Sequence, residues 1–153
     1  MKGEDNGIMD EPAVSYYMAA SARKANPSSL NRMIHADVWP PKHEKARFYL
    51  QPEGRVSNTA PTVDSASLSC RFDPANPVPT MGGQNLSRDV GPKDQREIGE
   101  RQDYLRFETP ILNEDVAVAE HVEMELFFST DALDTDFVVK LLDIYPNGYE
   151  ADS

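Results

Sequence analysis

The stretch STDALDTDFVVKLLDIYPNG, residues 129–148, places Asp131, Asp134 and Asp136 within six positions and then enters an apolar run. Three carboxylates so close could do one of three things: bind a hard cation, form a catalytic acid–base pair, or close a turn. An EF-hand needs oxygen ligands at loop positions 1, 3 and 5, a glycine at 6 and a glutamate at 12. Counted from Asp134, the fifth position is Val138 and no glycine follows; counted from Asp131, the twelfth is Leu142. Neither register fits. A catalytic pair needs surroundings that push the two carboxyl pKa values apart, and no such feature is readable beside these three. Asp, Ser and Thr side chains do accept backbone N–H bonds in tight turns. Asp131, Asp134 and Asp136 are therefore assigned to a structural turn or hydrogen-bond network at the head of a strand. A calcium site of another ligand geometry stays open.

Other candidates for chemistry are sparse. HEKAR, starting at His43, falls short of the zinc pattern H-E-x-x-H because Arg47 stands where the second histidine belongs, and a cation there defeats metal binding. His35 and His121 are isolated in sequence. No G-x-S-x-G elbow exists to lift a serine into an oxyanion hole. Ser15 lies inside a strand pattern without flanking glycines. Cys70 alternates with Leu68 and Phe72, which predicts packing, since a free cysteine behaves as a small hydrophobe. No metal site, no cofactor and no catalytic residue are expected on this chain.

The elements that would position these residues follow from periodicity. Val14, Tyr16 and Met18 share one face of a two-residue repeat. So do Phe48 and Leu50; Ala66, Leu68, Cys70 and Phe72; Val122, Met124, Leu126 and Phe128; and Phe137, Val139 and Leu141. Each run predicts a strand with one face on a core. Twelve prolines and eight glycines, spread along the chain, cut it into short pieces and favour strands and turns over long helices. Residues 19–33 read as a short helix or an irregular connection. Residues 73–101 carry no sustained period and form a long loop, a length that is usually functional. The class predicted is an all-β sandwich.

A formal net charge of −11 argues against nucleic acid, whose phosphates demand clustered Lys and Arg, and against an anionic membrane surface. No apolar run is long enough for a membrane span. MKGEDNGIMDEP contains no apolar signal-peptide core. One cysteine rules out an internal disulfide framework and fits a reducing compartment. A cytoplasmic location is the expectation.

Larger blocks carry a resemblance. RFDPANPVPTMGGQNL, then GPKDQREIGERQDYLRFET, then DALDTDFVVKLLDIYPNG resemble the C-terminal non-catalytic domain of the X-Pro dipeptidyl-peptidase family, which includes cocaine esterase-like and α-amino-acid ester hydrolases. LNRMIHADVWPPKHEKARFYLQPEG and the opening MKGEDNGIMDEPAVSYYM are similar to the family's upstream segments. The resemblance implies a galactose-binding-like jelly roll packed on an α/β-hydrolase domain, present in cis or as a separate chain, that carries a Ser–Asp–His triad upstream of the matched region. No triad residue can be carried onto this sequence, so no activity is expected from it alone. Residues 1–33 would be a junction after the hydrolase domain with a first strand near 13–18, and 34–153 a partial sandwich, incomplete at its C-terminus. An open sheet edge there would favour self-association. Gln84, Asn85 and Leu86 would help wall the substrate pocket, with Gly82 and Gly83 allowing close backbone approach, or their loop would merely fill the interdomain seam. Trp39, Asp94 and Arg96 are candidates for interdomain contact. A free-standing ligand- or carbohydrate-binding sandwich is the alternative, weakened by the presence of a single tryptophan.

Overall fold

A computed structural model of the chain describes residues 3, 6–19, 31–63, 65–86 and 90–145. Residues 1–43 with 117–153 make one unit, and residues 44–116 make a second. Regular structure among the described residues is strand and single 3-10 turns, without α-helix. The class is all-β, as the alternation predicts. No helix among the described residues is long and apolar enough to cross a membrane.

In the first unit, β1 (Val14–Met18) pairs antiparallel with β2 (Arg32–Ala36), with Val14 opposite Ala36, Tyr16 opposite Ile34 and Met18 opposite Arg32. The two-residue repeat puts Val14, Tyr16, Met18, Ile34 and Ala36 on one half-buried face and Ser15, Tyr17, Met33 and His35 on the other, exposed face. A turn from Ile8 to Asp10 precedes β1, with the Asn6 side chain accepting from the Ile8 N–H.

In the second unit, β3 (Tyr49–Gln51) and β4 (Arg55–Ser57) form a hairpin over Pro52, Glu53 and Gly54. Pro52 presets the φ that a turn needs at its first central position, and Gly54 takes the left-handed conformation, φ +74°, that closes a three-residue hairpin loop. Glu108 then lies beside β4: its N–H donates to the Gly54 carbonyl at 3.0 Å and its carbonyl accepts from the Val56 N–H at 2.7 Å.

Three expectations need correction. The alternating stretches 65–72, 121–128 and 137–145 form no hydrogen-bonded strand among the described residues. Cys70 is exposed instead of packed. The buried core that these faces imply is missing: no hydrophobic side chain among the described residues is buried. The physical reason is common to all three. Alternation records the need for a covering layer, and a strand pattern becomes a ladder only where a neighbour supplies the hydrogen bonds and the apolar contact. The accessible surface is 14699 Å², against about 7,800 Å² for a folded monomer of this mass. Most of the stretch read as helix or connection, residues 20–30, lies outside the described residues.

Candidate functional site

The long loop is held by short-range chemistry at both of its ends. At its start, Asp73 closes a turn: its carboxylate accepts from the Ala75 N–H at 2.9 Å and its carbonyl from the Asn76 N–H at 3.1 Å. Arg101 reaches back to that turn. Its guanidinium donates to the Asn76 carbonyl at 2.5 Å and makes a fork to the Asp103 carboxylate at 2.7 and 2.5 Å. The Arg101 and Asp103 side chains are 19% and 10% exposed, the best shielded ion pair among the described residues. Those bonds raise the Arg101 pKa above its ordinary value and lower that of Asp103, with partial desolvation opposing both shifts. Tyr104 completes the corner by donating to the Gly99 carbonyl at 2.9 Å.

In the middle of the loop, Gly83 and Gly91 exchange both backbone hydrogen bonds, at 2.8 and 2.9 Å. Gly82, the only buried residue among those described, sits at φ +66° against the Gly91 carbonyl and the stem of Lys93. Asn85 donates its amide N–H to the Gly82 carbonyl at 2.5 Å. Gln95 donates to the carbonyls of Met81 and Lys93, both at 3.0 Å. The bridge pinches off the segment between Gly83 and Gly91, which carries Gln84, Asn85 and Leu86. Asn85 is spent on bracing; Gln84 is exposed, and Leu86 makes no apolar contact that hides it.

Two concavities flank this framework. The larger, about 880 Å³, is lined by Cys70, Arg71, Asp73, Asn76, Arg101 and Tyr104 among others. The smaller, about 300 Å³, lies between Met81, Gly82, Lys93 and Glu97.

The remaining predicted residues lie apart. Asp94 and Arg96 pair with one another, and the Arg96 bonds lower the Asp94 pKa; both side chains are largely exposed. Trp39 meets Tyr16 edge-on, with ring centroids 5.3 Å apart and planes at 73°, so one part of its ring is occupied within the first unit. The turn at 130–132 is closed by Thr130, whose hydroxyl accepts from the Ala132 N–H at 3.1 Å; Asp131, Asp134 and Asp136 are exposed around it. No group of three metal-ligating side chains gathers among the described residues.

Sequence reasoning missed four pairings. Arg101–Asp103 and its tie to Asn76 were signalled only by an R-x-D spacing. Gly91, as partner of Gly83, had no signal beyond being a glycine. Ser15 and His35 sit directly opposite on β1 and β2, with Oγ 2.9 Å from Nδ1. Among the described residues no third group orients His35, so the pair is a cross-strand contact worth about 0.2–1 kcal/mol and not a nucleophile with its base. His43 faces an oxygen with each ring nitrogen, the Pro41 carbonyl at 2.7 Å and the Glu120 carboxylate at 2.8 Å.

What the geometry supplies is a braced loop and two shallow concavities, without a nucleophile, an oxyanion hole or a metal centre among the described residues. Residues 6–151 match the family described as X-Pro dipeptidyl-peptidase C-terminal non-catalytic domain. The chain belongs to that family. It is 39% identical over 122 residues to the cocaine esterase of Rhodococcus sp. (strain MB1 Bresler), covering 72% of this chain and 21% of the esterase. It is 28% identical over 158 residues to "Putative serine esterase Mb1866c" of Mycobacterium bovis, covering 97% of this chain and 22% of that protein. A Mycobacterium tuberculosis protein, "Putative serine esterase MT1883", matches to the same extent. The chain thus spans about a fifth of the length of the curated relatives it matches. No solved structure matches it.

Proposed function

We propose that this chain is the C-terminal jelly-roll region of a serine hydrolase that cleaves ester or X-Pro peptide bonds, that it packs on the catalytic α/β-hydrolase domain, and that its long loop helps wall the substrate pocket. One observation carries the reading: a pinched loop presents Gln84 and Leu86 outward while Asn85 and the glycines hold its base. A loop that only filled a seam would not need its base fixed by two backbone bonds and two side-chain amides. An exposed leucine on a braced support is suited to apolar contact with a substrate or with the neighbouring domain. Asp94, Arg96 and Trp39 are proposed to meet the catalytic domain, and Asp131, Asp134 and Asp136 to shape the turn at residues 130–134. Cytoplasmic residence is proposed on the composition.

The test uses the polypeptide that carries this region together with its catalytic domain. Leu86→Ser is expected to raise KM for an aryl ester substrate by about three- to tenfold, the loss of one apolar contact of about 1 kcal/mol, with the melting midpoint unchanged. A lower midpoint with unchanged KM would show that Leu86 only fills a seam.

A further inference from the structure

His43 meets an acceptor at each ring nitrogen. Nδ1 lies 2.7 Å from the Pro41 carbonyl oxygen, and Nε2 lies 2.8 Å from a Glu120 carboxylate oxygen. A carbonyl and an ionised carboxylate only accept, so both bonds need an N–H on the ring. A neutral imidazole carries one N–H and one lone pair. With its proton on Nε2 it bonds Glu120 and sets a lone pair against the Pro41 carbonyl. With its proton on Nδ1 it bonds Pro41 and sets a lone pair against the carboxylate. Only the imidazolium satisfies both partners at once. The two side chains are 30% and 28% exposed, so water weakens their attraction without removing it. Lys42, Glu44 and His121 are the neighbouring titratable groups; all three are exposed, and none bonds to His43 or Glu120.

The place of this pair in the chain gives it a use. The first unit is built from two stretches, residues 1–43 and 117–153, with residues 44–116 inserted between them. His43 ends the first stretch and Glu120 lies near the start of the second. Their bond joins the point where the chain leaves the first unit to the point where it returns. The Glu53–Arg55, Asp94–Arg96, Arg101–Asp103 and Arg106–Glu108 pairs each link residues that are two apart in sequence and tie nothing distant together. We propose that His43 and Glu120 form a proton-operated clasp on the first unit, closed while the ring is an imidazolium and Glu120 is ionised, and released when the ring gives up a proton. Free imidazole and free glutamate side chains titrate near about 6.5 and 4.3. The clasp's contribution is therefore present between those values. It falls away in acid as Glu120 takes a proton, and it is lost as pH rises and the ring becomes neutral. The clasp goes beyond the proposed packing and pocket roles and does not depend on either.

The test is a double-mutant cycle on the full chain, His43→Ala with Glu120→Ala, read by denaturant unfolding at two pH values. At about pH 5.5 the two residues should be coupled by about three- to fivefold in the unfolding equilibrium, and at about pH 8.5 by less than about twofold. His43→Lys puts a cation there that stays charged at both pH values, so its coupling to Glu120 should be the same at both. Proton NMR of the unmutated chain supplies a second readout. Both ring N–H signals of His43 should be visible at the lower pH, and Glu120→Ala should abolish the Nε2–H signal while Glu44→Gln leaves it in place. Absence of coupling at the lower pH, equal coupling at both, a His43→Lys coupling that disappears at the higher pH, or a single protected ring N–H would each overturn the clasp. A Leu86 result against pocket walling would not touch it, because the two experiments share no residue.

Discussion

Gly82→Ala is expected to destabilise the second unit by about 2–4 kcal/mol, whereas Gly83→Ala, one residue along, should cost only about 1–2 kcal/mol. Both glycines have positive φ, +66° and +85°, and a side chain in the left-handed region costs about 1–2 kcal/mol by itself. The difference lies in what a methyl group would meet. At Gly83 there is open space. At Gly82 a Cβ would overlap the Gly91 carbonyl and the first carbons of Lys93. The Lys93 stem can move, but the carbonyl cannot do so without disturbing the Gly83–Gly91 bridge, whose two hydrogen bonds contribute about 0.5–1.5 kcal/mol each. Denaturant unfolding gives the energies, and amide exchange at Gly83 and Gly91 locates them. Equal costs for the two substitutions would mean that the bridge tolerates a shifted carbonyl, and the support proposed for Gln84 and Leu86 would fail with it.

The second large effect is expected at Arg101. Arg101→Ala removes the fork to Asp103 and the bond to the Asn76 carbonyl together, leaving a mostly shielded carboxylate without its cation. The turn at Asp73–Asn76 and the corner at Arg101–Tyr104 then lose their tie, and amide exchange through 73–76 should speed up by about tenfold or more. Arg101→Lys should recover little of this, since an ammonium cannot reproduce a planar two-pronged fit. Acid should act in the same direction. Asp103 is held below the usual carboxylate range by its bonds to Arg101, so its stabilising contribution is complete above the unfolded-state value of about 3.9 and disappears as pH falls through the lower folded value. Exchange at 73–76 should therefore be flat above about pH 5 and rise below about pH 4. Asp94→Asn is the contrast. Asp94 is also depressed by its arginine, but the pair is open to water, and its loss should move the melting midpoint by no more than about 2 °C. A large shift at Asp94 and none at Arg101 would reverse the ranking.

How much of this was legible in the sequence depends on the range of each signal. The β1 strand was plain in Val14, Tyr16 and Met18 because alternation is a local property and β2 lies where it can meet it. The β3–β4 hairpin was half visible: Phe48 and Leu50 marked its first arm, while the Q-P-E-G turn and the returning strand went unread. The family resemblance was legible because long blocks match in order. The loop framework was not. Gly83 meets Gly91 and Arg101 meets Asn76 across gaps in which no periodicity connects the partners. The strand patterns at 65–72, 121–128 and 137–145 misled for the converse reason: each is a correct statement of which side chains need cover, made by residues that do not themselves provide it. For Cys70 the same inference gave burial where the structure has exposure.

The absence of a buried apolar core among the described residues has a thermal consequence. An unfolded chain of this mass exposes about 24,800 Å², so a surface of 14699 Å² means that folding withdraws only about two-fifths of it. An ordinary domain of 150 residues withdraws about 68–70%. The heat capacity of unfolding and the denaturant slope both scale with the surface released, so both should reach roughly three-fifths of the values usual for this length. The free chain would then have a shallow stability curve and a broad transition.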